Sequence, residues 1–244
     1  MQTDRHLGIL AHSAEGAALS FQTFCREGFA RLGPHAHPDV TLDLIPLSRS
    51  MPHWESGDYH AVRAILRESA ERLAAAGADF FICPDNTAHL AFELEGDPYP
   101  LPGLHIAEVV AEAAAERGHR KVGILGTRFT MEGPVYPRAL NARGIETAVP
   151  ARADRRIVDA IIFEELVNGV FTDASRAAYH AVITTLAAEG CDAVALVCTE
   201  IPLLVTPGLS PLPTLDSTRL QARAAFDVAT GARPLPAWRG GPLS

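Results

Sequence analysis

Leu73-Ala74-Ala75-Ala76-Gly77-Ala78-Asp79 returns later in the chain as Leu186-Ala187-Ala188-Glu189-Gly190-Cys191-Asp192, and this pair of segments sets the fold. Each copy reads as the end of a helical stretch. A short hydrophobic run follows in both places, Phe80 to Pro84 and Ala193 to Cys198. An earlier echo has nearly the same spacing: Gly8-Ile9-Leu10 recurs as Gly123-Ile124-Leu125. Internal self-similarity of this kind means one supersecondary plan used twice. Carried through the strand, the spacing places Asp85 of the first copy on Cys198 of the second. A carboxylate and a thiol, two of the few side chains able to move a proton near neutral pH, thus hold equivalent positions.

Outward from the repeat, short apolar runs alternate with longer helical patterns, which predicts stacked β-α-β units and an α/β fold with mainly parallel sheets. The expected strands are Leu7 to Ala11, Val40 to Pro46, Phe80 to Pro84, Val122 to Leu125, Glu146 to Val149 and Ala193 to Cys198. The expected helices are Ala14 to Leu32, Tyr59 to Ala76, Ile106 to Arg117, Met131 to Arg143, Arg155 to Val167, Ala174 to Glu189 and Ser217 to Thr230. Two similar halves related by a pseudo-twofold repeat are predicted, with the active site in the cleft between them. One half is residues 1–105 with 206–231, which return as a C-terminal helix; the other is residues 106–205. The Pro- and Gly-rich residues 232–244 are expected to form a surface or disordered tail. Asp85 and Cys198 each fall just past a strand's C-terminal end, where open α/β sheets place ligands and helix N-termini favour anions. Duplication for folding alone, with the strand ends acting as turns, is the competing account, and the chemistry of the two residues weighs against it.

The composition fits a small-molecule partner. A net charge of −8 without any run of Lys or Arg offers nothing to a phosphate backbone, so nucleic acid is not an expected partner. Cys25, Cys83, Cys191 and Cys198 contain no C-x-x-C pair, which points to reduced thiols and a cytoplasmic location. The start, Met1 to His6, leads into a strand and not a signal core, and no apolar run reaches the length of a membrane span.

Around the two equivalent positions the chain reads Ile82-Cys83-Pro84-Asp85-Asn86-Thr87-Ala88-His89 and Val197-Cys198-Thr199-Glu200-Ile201-Pro202. These segments resemble the C-N-T-x-H and G-C-T-E signatures of the aspartate/glutamate racemase family. Gly126-Thr127-Arg128-Phe129-Thr130-Met131-Glu132 is similar to that family's G-T-x-x-T-M segment, and further likeness at Ile161 to Leu166 and Asp216 to Leu220 extends it over roughly residues 6 to 230. The ordered set is far more specific than either signature alone. The resemblance implies two Rossmann-like α/β halves, an enzyme that needs neither pyridoxal phosphate nor metal, and a homodimer. It implies inversion of an amino acid's α-carbon by one acid/base on each face, which assigns Cys198 and Asp85 as the catalytic pair. It also implies that Asn86, Thr87 and Thr199 cradle the α-carboxylate, that Thr127 and Thr130 line the pocket, and that Ser13 contributes near the end of the first strand. Removing an α-hydrogen beside a carboxylate builds a dianionic enediolate, which preorganised donors must stabilise.

Two positions depart from the family pattern. Asp85 stands where two-cysteine members have their first catalytic Cys, and Asn168 where members acting on aspartate often have a Lys for the distal carboxylate. Both changes weaken aspartate or glutamate as substrate; Arg49 or Arg128 could restore a cation, although each reads better as an ordinary surface arginine. If Asp85 is an acid/base, burial is expected to raise its pKa, since an ordinary carboxyl near 3.9 cannot return a proton efficiently. His35 and His37 lie between prolines without a third ligand, so they are read as loop residues and no metal is expected. His89, one turn past Asp85, reads equally as a site residue or a core histidine; Ser13 also reads as a helix cap. Cys83, Cys25 and Cys191 are read as structural. The leading functional expectation is therefore a cofactor-independent racemase. The rivals are a single-cysteine decarboxylase or cis–trans isomerase of a small carboxylic acid, and a non-catalytic metabolite-binding protein.

Overall fold

The computed structural model describes residues 4–243. Its strands are β1 (Leu7–Ala11), β2 (Val40–Leu44), β3 (Phe80–Ile82), β4 (Lys121–Gly126), β5 (Glu146–Ala148), β6 (Ala193–Val197) and β7 (Thr214–Asp216). They form two parallel sheets, in the orders β2-β1-β3 and β5-β4-β6-β7. In each sheet the first strand in sequence is flanked by the second and third, so the two sheets share a plan. The chain divides into two compact units, one running to Ile106 and resuming at Gln221, the other Ala107–Leu220. Among the described residues no helix is long and apolar enough to cross a membrane.

The repeat has a packing cause that is the same in both units. Helix Tyr59–Ala75 ends at Gly77 (φ +88°) and helix Asp173–Ala188 at Gly190 (φ +90°), the left-handed conformation that glycine adopts without a Cβ clash. The two N–H groups that close each helix find equivalent carbonyls: Gly77 to Ala74 and Ala78 to Leu73, Gly190 to Ala187 and Cys191 to Leu186. Two residues on, Asp79 accepts from the His6 N–H (2.7 Å) and Asp192 from the Arg120 N–H (2.9 Å), locking each helix exit to the start of β1 or β4. A Cβ at Gly8 would lie 3.1 Å from Leu73 Cδ1, and one at Gly123 would lie 2.8 Å from Leu186 Cδ1. The two repeated motifs are thus one contact, a helix leucine seated on a strand glycine.

Several elements differ from expectation. The helix predicted over Met131 to Arg143 is two helices, Arg128–Glu132 and Val135–Asn141, because Gly133 turns extended and Pro134 has no N–H to continue the ladder. β7 was not anticipated; three residues with a single apolar side chain, Leu215, carry no periodic signal. The short helices Met51–Ser56, His89–Phe92 and Ile201–Leu204 were likewise not anticipated. Among its described residues the tail forms no helix or strand, but hydrogen bonds tie it to the first unit. Gly103 donates to the Trp238 carbonyl and Tyr99 to that of Arg239 (both 2.7 Å), and the indole lies 4.8 Å from the His105 ring.

Candidate active site

In the first unit the site residues stand at the C-terminal ends of two neighbouring strands. β1 and β3 pair in register at Ile9 and Ile82, so the residues that follow them emerge side by side. His12, next after β1, has a fully buried side chain, and its Nδ1 lies 3.1 Å from Asp85 Oδ2 on the loop after β3. Asp85 Oδ1 accepts the Ala88 N–H at 3.2 Å. The loop itself is held by His89, a core histidine: Nδ1–H donates to the Asp85 carbonyl (2.9 Å), and Nε2 accepts the Ile106 N–H (3.4 Å). Burial, followed by the neighbouring His105, pulls the His89 pKa down to about 3, so this ring stays neutral.

Asp85 corrects the sequence expectation. Burial does act to raise its pKa, but the hydrogen bonds from His12 and from the Ala88 N–H outweigh it and hold the carboxyl below its ordinary value. At neutral pH Asp85 is a carboxylate, and His12 Nδ1 is the donor. Cys83 is buried as expected; burial and the Asp85 charge push its thiol well up, which keeps it protonated.

The second unit builds its site from the equivalent strand ends. β4 and β6 pair at Gly126 and Val197, where a Cβ on Gly126 would sit 2.7 Å from the Val197 carbonyl oxygen, so glycine is needed for the approach. Cys198 directly follows β6. Its Sγ–H donates to Glu200 Oε2 at 3.0 Å, and the Thr199 hydroxyl donates to the same oxygen at 3.0 Å. All three residues are buried. Thr127, next after β4, caps helix Arg128–Glu132 through the Thr130 N–H (3.3 Å), and the two threonine hydroxyls are 3.1 Å apart.

Of the other expected binding residues, Asn86 is buried and Thr87 half-buried, both on the Asp85 loop. Ser13 accepts from the Gly16 N–H at 3.2 Å as the cap of helix Ala14–Arg31. Asn168 is exposed and donates to the Phe163 and Glu164 carbonyls, closing a helix end. Arg49 pairs with Glu68 at 2.9 Å; Arg128 pairs with Asp159 at 3.2 Å and lies over the Phe129 ring. His35 and His37 stay in their loop, and no group of three or more His, Cys, Asp or Glu among the described residues could hold a metal. Two residues escaped sequence reasoning. Glu200 lies inside the second signature and His12 directly after β1, but nothing local in the sequence marks the pairing of either one.

Two parallel α/β units built on one plan, each with a titratable side chain at a repeat-equivalent strand end, fit the racemase-type isomerases. The chain belongs to the Asp/Glu/Hydantoin racemase family, whose model matches residues 18–225. The broad specificity amino-acid racemase RacX of Bacillus subtilis (strain 168) is 24% identical over 173 residues, 70% of this chain and 74% of its own length. A glutamate racemase of Ectopseudomonas mendocina is 29% identical over 170 residues, 68% of this chain and 62% of its own. A solved structure from Yersinia pestis, of a protein classed as an Asp/Glu racemase, aligns over 93% of this chain and 99% of that one, with a TM-score of 0.80 and 32% identity. The structure of an aspartate racemase homologue from Pyrococcus horikoshii OT3 aligns over the same shares, with a TM-score of 0.77 and 26% identity.

Proposed function

We propose that this protein racemises or epimerises an amino acid at its α-carbon without an added cofactor, by proton transfer to and from two protein groups. Support comes chiefly from one observation: the repeat-equivalent positions each carry an acid/base side chain with a buried titratable partner, Asp85 with His12 at 3.1 Å and Cys198 with Glu200 at 3.0 Å. Inversion needs one acid/base for each face of the α-carbon, and the two repeat-equivalent positions carry two such groups. As the α-hydrogen leaves, charge builds on the substrate carboxylate, and Asn86, Thr87 and Thr199 are the donors assigned to it. Lys121, the only lysine in the sequence, donates Nζ to the Glu189 carbonyl at the beginning of β4, the end of the strand away from the site, which leaves no lysine to anchor pyridoxal phosphate.

The substrate best matched to these residues has an uncharged side chain. Asp85 and Glu200 bring carboxylates, while Arg49, Arg128 and Asn168 are engaged with Glu68, Asp159 and backbone carbonyls. A second acidic group on the substrate would meet repulsion and no free cation among these residues. One observation favours a second assignment. Asp85 held as a carboxylate makes a poor acid, as in a reaction where Cys198 alone delivers a proton, such as decarboxylation or alkene isomerisation.

Incubating the protein with single amino acids in heavy water separates these possibilities. Deuterium at the α-carbon with conversion of either enantiomer is expected, strongest for neutral side chains, and Cys198→Ser should lose at least about a hundredfold in rate because a hydroxyl is a far weaker acid than a thiol near 8.5. Absence of α-exchange for every amino acid would overturn racemisation and leave the single-cysteine reaction or simple binding.

A further inference from the structure

We propose that His12, through Nε2, is the group that takes and returns the α-proton in the first unit, and that Asp85 is the residue that orients it. This inference rests on the racemase assignment above and changes only which atom of the pair moves the proton.

Three observations carry it. First, the pair has the geometry of an imidazole steered by a carboxylate: Nδ1 at 3.1 Å from Oδ2, with the other carboxylate oxygen fixed by the Ala88 N–H. An ionised carboxylate can only accept, so it selects the tautomer with hydrogen on Nδ1 and a lone pair on Nε2. Second, His12 Nε2 is buried and has no hydrogen-bond partner among the described residues, although the rest of the ring is fully engaged. A buried polar atom left unsatisfied is disfavoured and calls for a role. Third, the other histidine on this loop is already committed, with both His89 ring nitrogens bound to backbone groups. The titratable groups acting on the pair through Asp85 are Cys83, kept as a thiol, and His89, kept neutral. Of the pair's two members, only an imidazole has an ordinary pKa near neutrality, where one group can both accept a proton and give it back.

The step balances without any external reagent. The C–Hα bond breaks and leaves its electron pair on the substrate as an enediolate, while the proton bonds to Nε2; the imidazolium keeps its Nδ1–H on Asp85. On the other face the Cys198 S–H bond breaks, and its proton bonds to the α-carbon, leaving a thiolate. The reverse turnover, or exchange with water, restores thiol and neutral imidazole.

The test uses the full chain with His12→Gly, assayed for α-hydrogen exchange in heavy water with and without imidazole and methylimidazoles of graded basicity. The expected result is a loss of about a thousandfold, within the usual range for removing an acid/base, with azoles restoring exchange at rates that follow their basicity. A folded His12→Gly protein within about tenfold of wild type would overturn the inference, as would a loss that no azole restores. If His12→Gly fails to fold, His12→Gln, which keeps size and polarity but not titration, should fold and lack exchange; a His12→Gln rate near wild type overturns the inference. In both cases wild-type exchange leaves the racemase assignment standing, whereas its absence in wild type removes that assignment first.

Discussion

At Asp85 two demands on one side chain pull apart. Burial favours the neutral acid, but the His12 ring and the Ala88 N–H favour the anion, and the hydrogen bonds prevail. The consequence for stability has a definite sign. A folded-state pKa below the unfolded value contributes stability that is fully present above the unfolded value, about 3.9, and is lost as pH falls through the folded value. Asp85→Asn is therefore expected to lower stability by about 1–3 kcal/mol at pH 7, typical for a charged hydrogen-bonded group. The gap between mutant and wild type should stay constant down to about pH 5 and close below the ordinary carboxylate range. Thermal unfolding of both proteins from pH 7 to pH 2.5 checks this; a gap that widens in acid would mean that Asp85 is neutral in the fold. Residue identity alone showed that Asp85 and Cys198 were equivalent, but not the pairing with His12, which lies 73 residues away in sequence. That pairing depends on β1 and β3 being neighbours, and no local pattern encodes a strand's neighbour.

At the scale of elements, the helix-leucine and strand-glycine contact is the unit that was duplicated. Gly8 and Gly123 have the same task but different clearance, 3.1 Å against 2.8 Å to the facing leucine Cδ1, and Gly123 would also press on Val194 Cγ1 at 3.2 Å. Both obstacles are side chains that shift at a cost. Gly123→Ala is expected to destabilise by about 1–3 kcal/mol, the usual range for overpacking, and Gly8→Ala by less. Urea titration of the two variants measures the order, and a larger loss for Gly8→Ala would contradict this account of the repeat. The helices with strong caps, such as Asp173–Ala188 behind Thr172, matched their sequence patterns closely. The misses were elements too short to show a period, β7 above all, and the Gly133-Pro134 break inside an apolar pattern that otherwise reads as continuous.

At the scale of the molecule, the first unit is assembled from two stretches distant in sequence. The C-terminal residues return to it: Phe226 is fully buried edge-on to Phe24 at 5.7 Å, Gln221 donates to the Leu104 carbonyl at 2.8 Å, and the Arg5 N–H donates to the Ala229 carbonyl at 2.8 Å. Phe226→Ala should cost the first unit about 3–5 kcal/mol, as for other buried phenylalanines. In amide hydrogen exchange the strands β1 to β3 should lose protection well before β4 and β6; equal loss in both sheets would show that the units unfold together. The sequence by itself determined the α/β class, the duplication, the family and the two equivalent strand ends where Asp85 and Cys198 stand, because periodicity, repeated segments and ordered signatures are local and survive without coordinates. Only the tertiary structure decided that Asp85 is an anion paired with His12, that Cys198 hydrogen-bonds to Glu200, and that Arg49, Arg128 and Asn168 are engaged elsewhere. Protonation and pairing depend on which groups burial brings within about 3 Å, and that distance is a property of the folded chain.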